Sequence, residues 1–332
     1  MQTSFVRVEA SPEELAESRG VNEFIEAALA AEPAIHTLSA PEARRVREQG
    51  AGAFPVAVRL EGAEARTVSH AGADVDVRIL RPSGEAHGVY LHLHGGGWVL
   101  GGADQQDERL QATADDTGLV VVSVEYRLAP EHHLDDAIDD CLVAARWLLE
   151  RGLAELVPAA ATARDATVVI GGESAGAHLA AVSLLVLRDE NDGRLDPAIA
   201  AANLIFGAYD LGRTPSMRNW GDRNLILSGP IVDWFIDQAL PGTDVEARRD
   251  PHWSPLYADL SSLCPGFFVV GDLDPLLDDS LFMAARWEAA GNPTRLEVYP
   301  ESIHGFPAFP TALGARAMAS QHAFLREVTG RA

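Results

Sequence analysis

The chain has 332 residues, 47% of them hydrophobic, enough for one large α/β domain with a sizeable core. Its 26 basic and 49 acidic side chains leave a net charge of −23, which argues against nucleic acid and anionic membrane surfaces as partners. All 26 basic residues are arginine, so lysine Schiff bases, pyridoxal phosphate chemistry and the P-loop lysine are excluded.

Residues 1 to about 50 read as helical. Ser11-Pro12-Glu13-Glu14 has the form of a helix start, and Phe24, Ile25, Ala28 and Leu29 follow at helical spacing. This segment precedes the first strand and is expected to fold as a cap over residues 51–332. Ala73 to Ile79 alternates apolar and polar, as a half-exposed antiparallel strand does. Short Val/Ile-rich runs at 89–93, 119–124, 166–170, 204–206 and 267–270 suit strands buried on both faces. Helices are expected at about 134–151, 175–188, 277–291 and 311–328. That alternation predicts a mostly parallel sheet covered on both sides. Residues 210–262 break the rhythm, and a stretch of roughly 50 residues is too long for a structureless connection, so a helical cap insertion is expected there.

Cys141 and Cys264 lie in no metal-ligand or redox spacing and read as reduced core residues. The first residues lack the basic start and apolar run of a signal peptide. No stretch approaches the roughly 18 to 20 apolar residues of a membrane span. A soluble cytoplasmic protein is the expectation, without nucleic-acid or membrane partners.

Two motifs carry chemistry. Gly172-Glu173-Ser174-Ala175-Gly176 lies between a strand and a helix, where a tight turn would present the Ser174 hydroxyl. His94-Gly95-Gly96-Gly97-Trp98 ends the 89–93 strand, and its glycines free backbone N–H groups to converge on a developing oxyanion. The GxGxxG test for a dinucleotide loop fails, because the third glycine position is Leu100. A serine nucleophile needs a base and an orienting acid. His304, after the run 295–299, supplies the first, and Asp274, at the end of the 267–270 strand, the second; Asp272 and Asp278 compete for the acid role. His94 is expected to fasten the glycine loop and His178 to pack against the sheet. His132 and His133, beside Asp135 and Asp136, read as a solvated turn and not as metal ligands.

These motifs, with Tyr126-Arg127-Leu128-Ala129-Pro130-Glu131, Asp250 to Leu256, Asp274-Pro275-Leu276 and His304-Gly305-Phe306, resemble the hormone-sensitive-lipase family of esterases. The resemblance implies an α/β-hydrolase fold with an eight-stranded sheet, a helical cap, and hydrolysis of small-molecule carboxylic esters. It also implies no metal or organic cofactor, and a homodimer. By position, Ser174, Asp274 and His304 would form the triad, and Gly96, Gly97 and Ala175 the oxyanion hole. Glu173 stands where Asp is more usual. Ser174 to Leu179 also resembles arylformamidases, which cleave a formamide with the same apparatus; receptors built on this fold lack the histidine. Substrate contacts are expected from Trp98, Phe24, Leu225 and Phe306, with Ile25, Leu29, Trp220, Trp234 and Phe235 as further apolar candidates.

Overall fold

A computed structural model describes residues 3–50, 54–158 and 166–330. Within these, one sheet contains β1 (Ser4–Arg7), β2 (Glu64–His70), β3 (Ala73–Leu80), β4 (Gly88–Leu93), β5 (Leu119–Glu125), β6 (Thr167–Glu173), β7 (Ile199–Ile205), β8 (Gly266–Leu273) and β9 (Thr294–Ile303). The order is β1-β9-β8-β7-β6-β4-β5-β3-β2. β3 runs antiparallel to both neighbours, β2 and β5, and the remaining neighbours are parallel. The alternation read in β3 is realised: Val75, Val77 and Ile79 are buried and Asp74 and Asp76 exposed. β4 and most of β5 and β6 are buried on both faces, as their unbroken apolar runs require.

The helices are α1 (Pro12–Ala30), α2 (Ala40–Glu48), α3 (Asp107–Thr117), α4 (Leu134–Trp147), α5 (Leu153–Leu156), α6 (Ala175–Glu190), α7 (Pro215–Asn219), α8 (Gly229–Ala239), α9 (Leu277–Ala289) and α10 (Ala312–Val328). They cover both faces. Adjacent residues of β8 show it, because side chains alternate along a strand. Phe267 stacks on Phe324 of α10 at 4.8 Å, whereas Phe268 meets Trp287 of α9 edge-on at 5.8 Å.

Three expectations are corrected. The sheet has a ninth strand: β2 to β9 are the eight implied, and β1 adds to the edge in parallel with β9. The N-terminal segment read as helical therefore begins as a strand, because four residues are too short to show a period and edge pairing decides their conformation. β2 and α3 were not anticipated. α3 buries Leu110, Thr113, Ala114 and Thr117 at helical spacing, but two threonines and an alanine blur its apolar stripe.

Leu29 of α1, Ala43 to Glu48 of α2 and residues 224–235, which include the start of α8, face Ser174 and Gly96 across one cavity at the carboxyl ends of the strands, whereas Pro255–Tyr257 packs on α6 and α9. The Ser11 capping box starts α1: Glu14 N–H donates to Ser11 Oγ at 3.2 Å and Ser11 N–H to Glu14 Oε2 at 2.8 Å. α8 packs against the 3-10 turn Ile35–Thr37 between α1 and α2, and Arg223 reaches Glu26 of α1 at 3.0 Å. Arg44 of α2 donates to the carbonyls of Val99 and Ala129 and pairs with Glu131. The boundary expected at residue 50 adjoins residues 51–53, which lie outside the described residues. No helix among the described residues is long and apolar enough to cross a membrane.

Candidate active site

Ser174 stands between β6 and α6 with φ 56° and ψ −121°, a region a non-glycine residue occupies only at a cost of about 1–3 kcal/mol. The surroundings impose it. A Cβ on Gly172 would fall 2.0 Å from the Leu93 carbonyl oxygen, and one on Gly176 1.9 Å from the same atom. Glycine at both positions lets the turn press against the end of β4. Ser174 N–H donates to the Ile205 carbonyl at 2.9 Å, fixing the turn to β7 as well.

His304 follows β9, and its Nε2 lies 3.0 Å from Ser174 Oγ. Its Nδ1 lies 2.8 Å from Oδ2 of the fully buried Asp274. An ionised carboxylate only accepts, so Nδ1 carries the proton and Nε2 is left to accept the serine hydroxyl. Asp274 Oδ1 accepts from Leu276 N–H at 2.8 Å, which sets the carboxylate plane. Phe206 meets the His304 ring edge-on at 4.9 Å. Asp272 and Asp278 are not brought to the imidazole. Burial pushes the Asp272 carboxyl up, and Asp278 accepts from Ser216 N–H at 2.7 Å.

The glycine loop crosses the same spot. Gly96 has φ 129° and Gly97 φ 61°; a Cβ would meet the Leu100 carbonyl oxygen at 2.1 Å in the first case and the Phe235 ring at 2.3 Å in the second. The loop is tied down from below. Tyr126 Oη–H donates to the His94 carbonyl at 2.6 Å, and His94 Nδ1 lies 2.9 Å from the Gly95 carbonyl. Burial pulls the His94 pKa down to about 4, so the ring is neutral. Trp98 Nε1–H donates to His178 Nδ1 at 3.1 Å, which leaves His178 Nε2–H to donate to the Trp253 carbonyl at 2.7 Å. Burial lowers the His178 pKa to about 4 as well, keeping that tautomer neutral. His133 caps α4 by accepting from Asp135 N–H at 3.3 Å.

Glu173, noticed in the sequence only as a departure, joins the two motifs. Its Oε1 accepts from Gly95 N–H at 3.2 Å and pairs with Arg109 at 3.0 Å; Oε2 lies 3.1 Å from His92 Nε2, and Gln106 donates to Oε1. Burial raises the carboxyl, but Arg109 and His92 outweigh it and hold the group well below the usual carboxylate range. The anionic Glu173 thus fastens the glycine loop to the serine turn.

Ser174, His304, Gly96 and Gly97 open into a cavity of about 510 Å³, within the usual range for small-molecule sites. Leu29, Ile35, Leu38, Ile226, Leu227 and Phe235 give it apolar walls. Four expected contacts are not among its lining. Phe24 is 72% exposed, because α1 turns Ser18, Asn22 and Ile25 inward and Phe24 lies off that stripe. Leu225 is buried away from the cavity: the chain reverses at Ile226 (φ 75°), so Asn224, Ile226 and Leu227 line it instead. Trp98 is held by His178, and Phe306 packs on Tyr299 at 5.1 Å. Leu29 and Phe235 do line it; Ile25, Trp220 and Trp234 do not. α2 falls in the segment expected to be helical, but no contact from it was anticipated; it contributes Ala43, Val46 and Arg47 to the wall, and the capping-box signature Ser39-Ala40-Pro41-Glu42 marks its start.

A doubly covered sheet with a serine–histidine–aspartate chain at its carboxyl edge defines an α/β-hydrolase. The family model for the alpha/beta hydrolase fold matches residues 90–308, and the chain belongs to that family. It is 33% identical over 268 residues to the carboxylesterase NlhH of Mycobacterium tuberculosis, covering 77% of this chain and 79% of that one. It is 35% identical over 236 residues to the carboxylic ester hydrolase LipN of the same organism, covering 70% of this chain and 61% of LipN. Among solved structures, a hyperthermophilic esterase from Pyrobaculum calidifontis superposes with a TM-score of 0.79 at 26% identity, covering 96% of this chain and 99% of its own. An alpha/beta hydrolase from the metagenome of Lake Arreo gives 0.81 at 28% identity, with coverage of 95% and 98%.

Proposed function

We propose that the chain is a serine carboxylesterase acting on short- to medium-chain acyl esters. The observation that carries this reading is the chain of contacts Asp274–His304–Ser174, at 2.8 and 3.0 Å, opening into the apolar cavity. The ester-hydrolase relatives support the same reaction and do not favour the formamidase alternative.

In the first step Ser174 Oγ bonds to the acyl carbon as its proton passes to His304 Nε2, and the carbonyl π pair moves onto oxygen. N–H groups of Gly96, Gly97 and Ala175 receive that oxyanion; losing one such donor typically costs about 3–4 kcal/mol of barrier. Ala175 opens α6, where N–H groups lack partners within the helix and the dipole favours negative charge. The oxyanion collapses, the carbon–oxygen bond to the alcohol breaks, and the alcohol takes the proton from His304. Water then adds to the acyl carbon, giving its proton to the same nitrogen, and the carboxylic acid leaves as Ser174 regains its hydrogen. Asp274 holds the imidazole in the needed tautomer throughout and stabilises the imidazolium.

A cytoplasmic location belongs to the same reading, supported by Cys141 and Cys264, which are buried and unpaired. The homodimer implied by resemblance is checked by sedimentation of the purified protein. The functional test is hydrolysis of p-nitrophenyl esters from acetate to palmitate. Fast turnover of short esters, absent in Ser174→Ala, is expected; equal turnover in the variant would overturn the assignment.

A further inference from the structure

The cavity wall carries three arginines, Arg47, Arg59 and Arg109. Arg59 pairs with Asp104 at 2.5 Å and Arg109 with Glu173 at 3.0 Å, so both charges are compensated within the protein. Arg47, in the last turn of α2, is different. Among the described residues it has no ion-pair partner and no acceptor for its N–H groups; its neighbour is the Phe54 ring, with the guanidinium carbon 3.8 Å from the centroid. Stacking occupies the face of the guanidinium and leaves the in-plane N–H donors free. Burial pulls its pKa down to about 10, so the group stays charged at neutral pH.

The acidic residues of the lining do not neutralise it. Asp107 is committed to Arg78 at 2.5 Å and Glu173 to Arg109, whereas Glu32, Glu48 and Glu108 are exposed at the rim. A cation set into an apolar wall without a counter-charge is unfavourable to the protein alone. A ligand that brings its own anion relieves that cost, and guanidinium geometry suits a carboxylate held by two parallel hydrogen bonds.

We propose that Arg47 is a specificity residue, receiving the carboxylate of esters that carry a negative charge at the far end of an apolar spacer. The inference rests on the esterase reading and deepens it: the substrate class is an amphiphilic ester with one charged terminus, not a wholly neutral one. The overall acidity of the chain makes the preference more telling, because long-range repulsion works against such a substrate and a local contact must overcome it.

The test compares p-nitrophenyl monoesters of dicarboxylic acids, and acetyl esters of ω-hydroxy acids, with neutral esters of matched length. The quantity read is the ratio of kcat/KM, charged to neutral, at each spacer length. At the matching length Arg47→Met is expected to lower that ratio at least about tenfold, as loss of a charge-assisted hydrogen bond does, with partial recovery in Arg47→Lys. A ratio unchanged at every length overturns the inference. Should the Met variant fail to fold, the wild type decides. KM for the best charged ester should rise between low salt and about 0.5 M NaCl while that of its neutral analogue holds, and equal responses overturn the inference. If neutral esters are also inert, the esterase reading itself falls; turnover of neutral esters without a charge preference dependent on Arg47 removes only this inference.

Discussion

The floor and the roof of the cavity are held by different physics. At the floor, backbone meets backbone: Gly172, Gly176 and Gly96 sit where any Cβ would come within 2.1 Å of a carbonyl oxygen, and Glu173 bonds the glycine loop to the serine turn. At the roof, α8 packs against the 3-10 turn between α1 and α2, and the loop before α8 is joined to α1 by the exposed ion pair Arg223–Glu26. A close backbone contact cannot be adjusted, whereas side-chain packing can be, so the proposed chemistry falls in the first region and the proposed selectivity in the second.

The largest effect separates chemistry from folding. Ser174→Ala should lower kcat by roughly 10⁴- to 10⁶-fold with the melting temperature at or above that of the wild type, read by ester hydrolysis and calorimetry. Next come the loop glycines. Gly96→Ala drives its Cβ into the Leu100 carbonyl and should cut kcat by about 10²- to 10³-fold, with no rescue from the roof. Gly97→Ala instead meets the Phe235 ring, a side chain of α8, so adding Phe235→Ala should restore part of the activity. If the double variant is no better than Gly97→Ala alone, floor and roof are less separable than this contrast holds.

A smaller effect concerns how the roof segment leaves the sheet. Asp279 of α9 accepts from the N–H groups of Tyr209 and Asp210 and from the Thr214 hydroxyl, at 2.6 to 2.9 Å. Burial, assisted by the nearby Asp210, raises its pKa to about 7 against these donors. The folded state then holds a proton that the unfolded chain, with an ordinary value of 3.8, has released. Stability should therefore fall as pH rises from about 4 to 7, and level off above that. Asp279→Asn keeps an acceptor for both N–H groups and an amide for Thr214, and should flatten that part of the melting-temperature profile. A slope unchanged by Asn would assign the dependence to other groups. Smallest of all, Arg223→Ala should cost less than about 1 kcal/mol in urea unfolding, because the pair it breaks is exposed.

Much of the floor was legible in the sequence because its motifs are local. Gly172 to Gly176 and His94 to Trp98 each carry their conformational demands within five residues, and the strands beneath them are unbroken apolar runs. The local pattern left Asp272 and Asp278 as competitors, the family resemblance singled out Asp274, and Asp274 is the one brought to His304. The roof was not legible in that way. Phe24 looked like a pocket residue on apolar character alone, yet its place on α1 sends it to solvent. Leu225 was one residue from the wall, but the turn at Ile226 decided which neighbours face it. β1 escaped because a four-residue edge strand has no period to read, and α3 because it buries threonines.

Composition, apolar patterning and two glycine-rich motifs determined the class of fold, the sidedness of the sheet and the residue types at the floor, since each depends on interactions between near neighbours in sequence. Only the tertiary structure decided that Glu173 ties the two motifs together, that α2 walls the cavity, and that Arg47 faces it without a counter-charge. Those facts depend on residues brought together from distant parts of the chain, and the pairing or isolation of a charge is a property of the space around it.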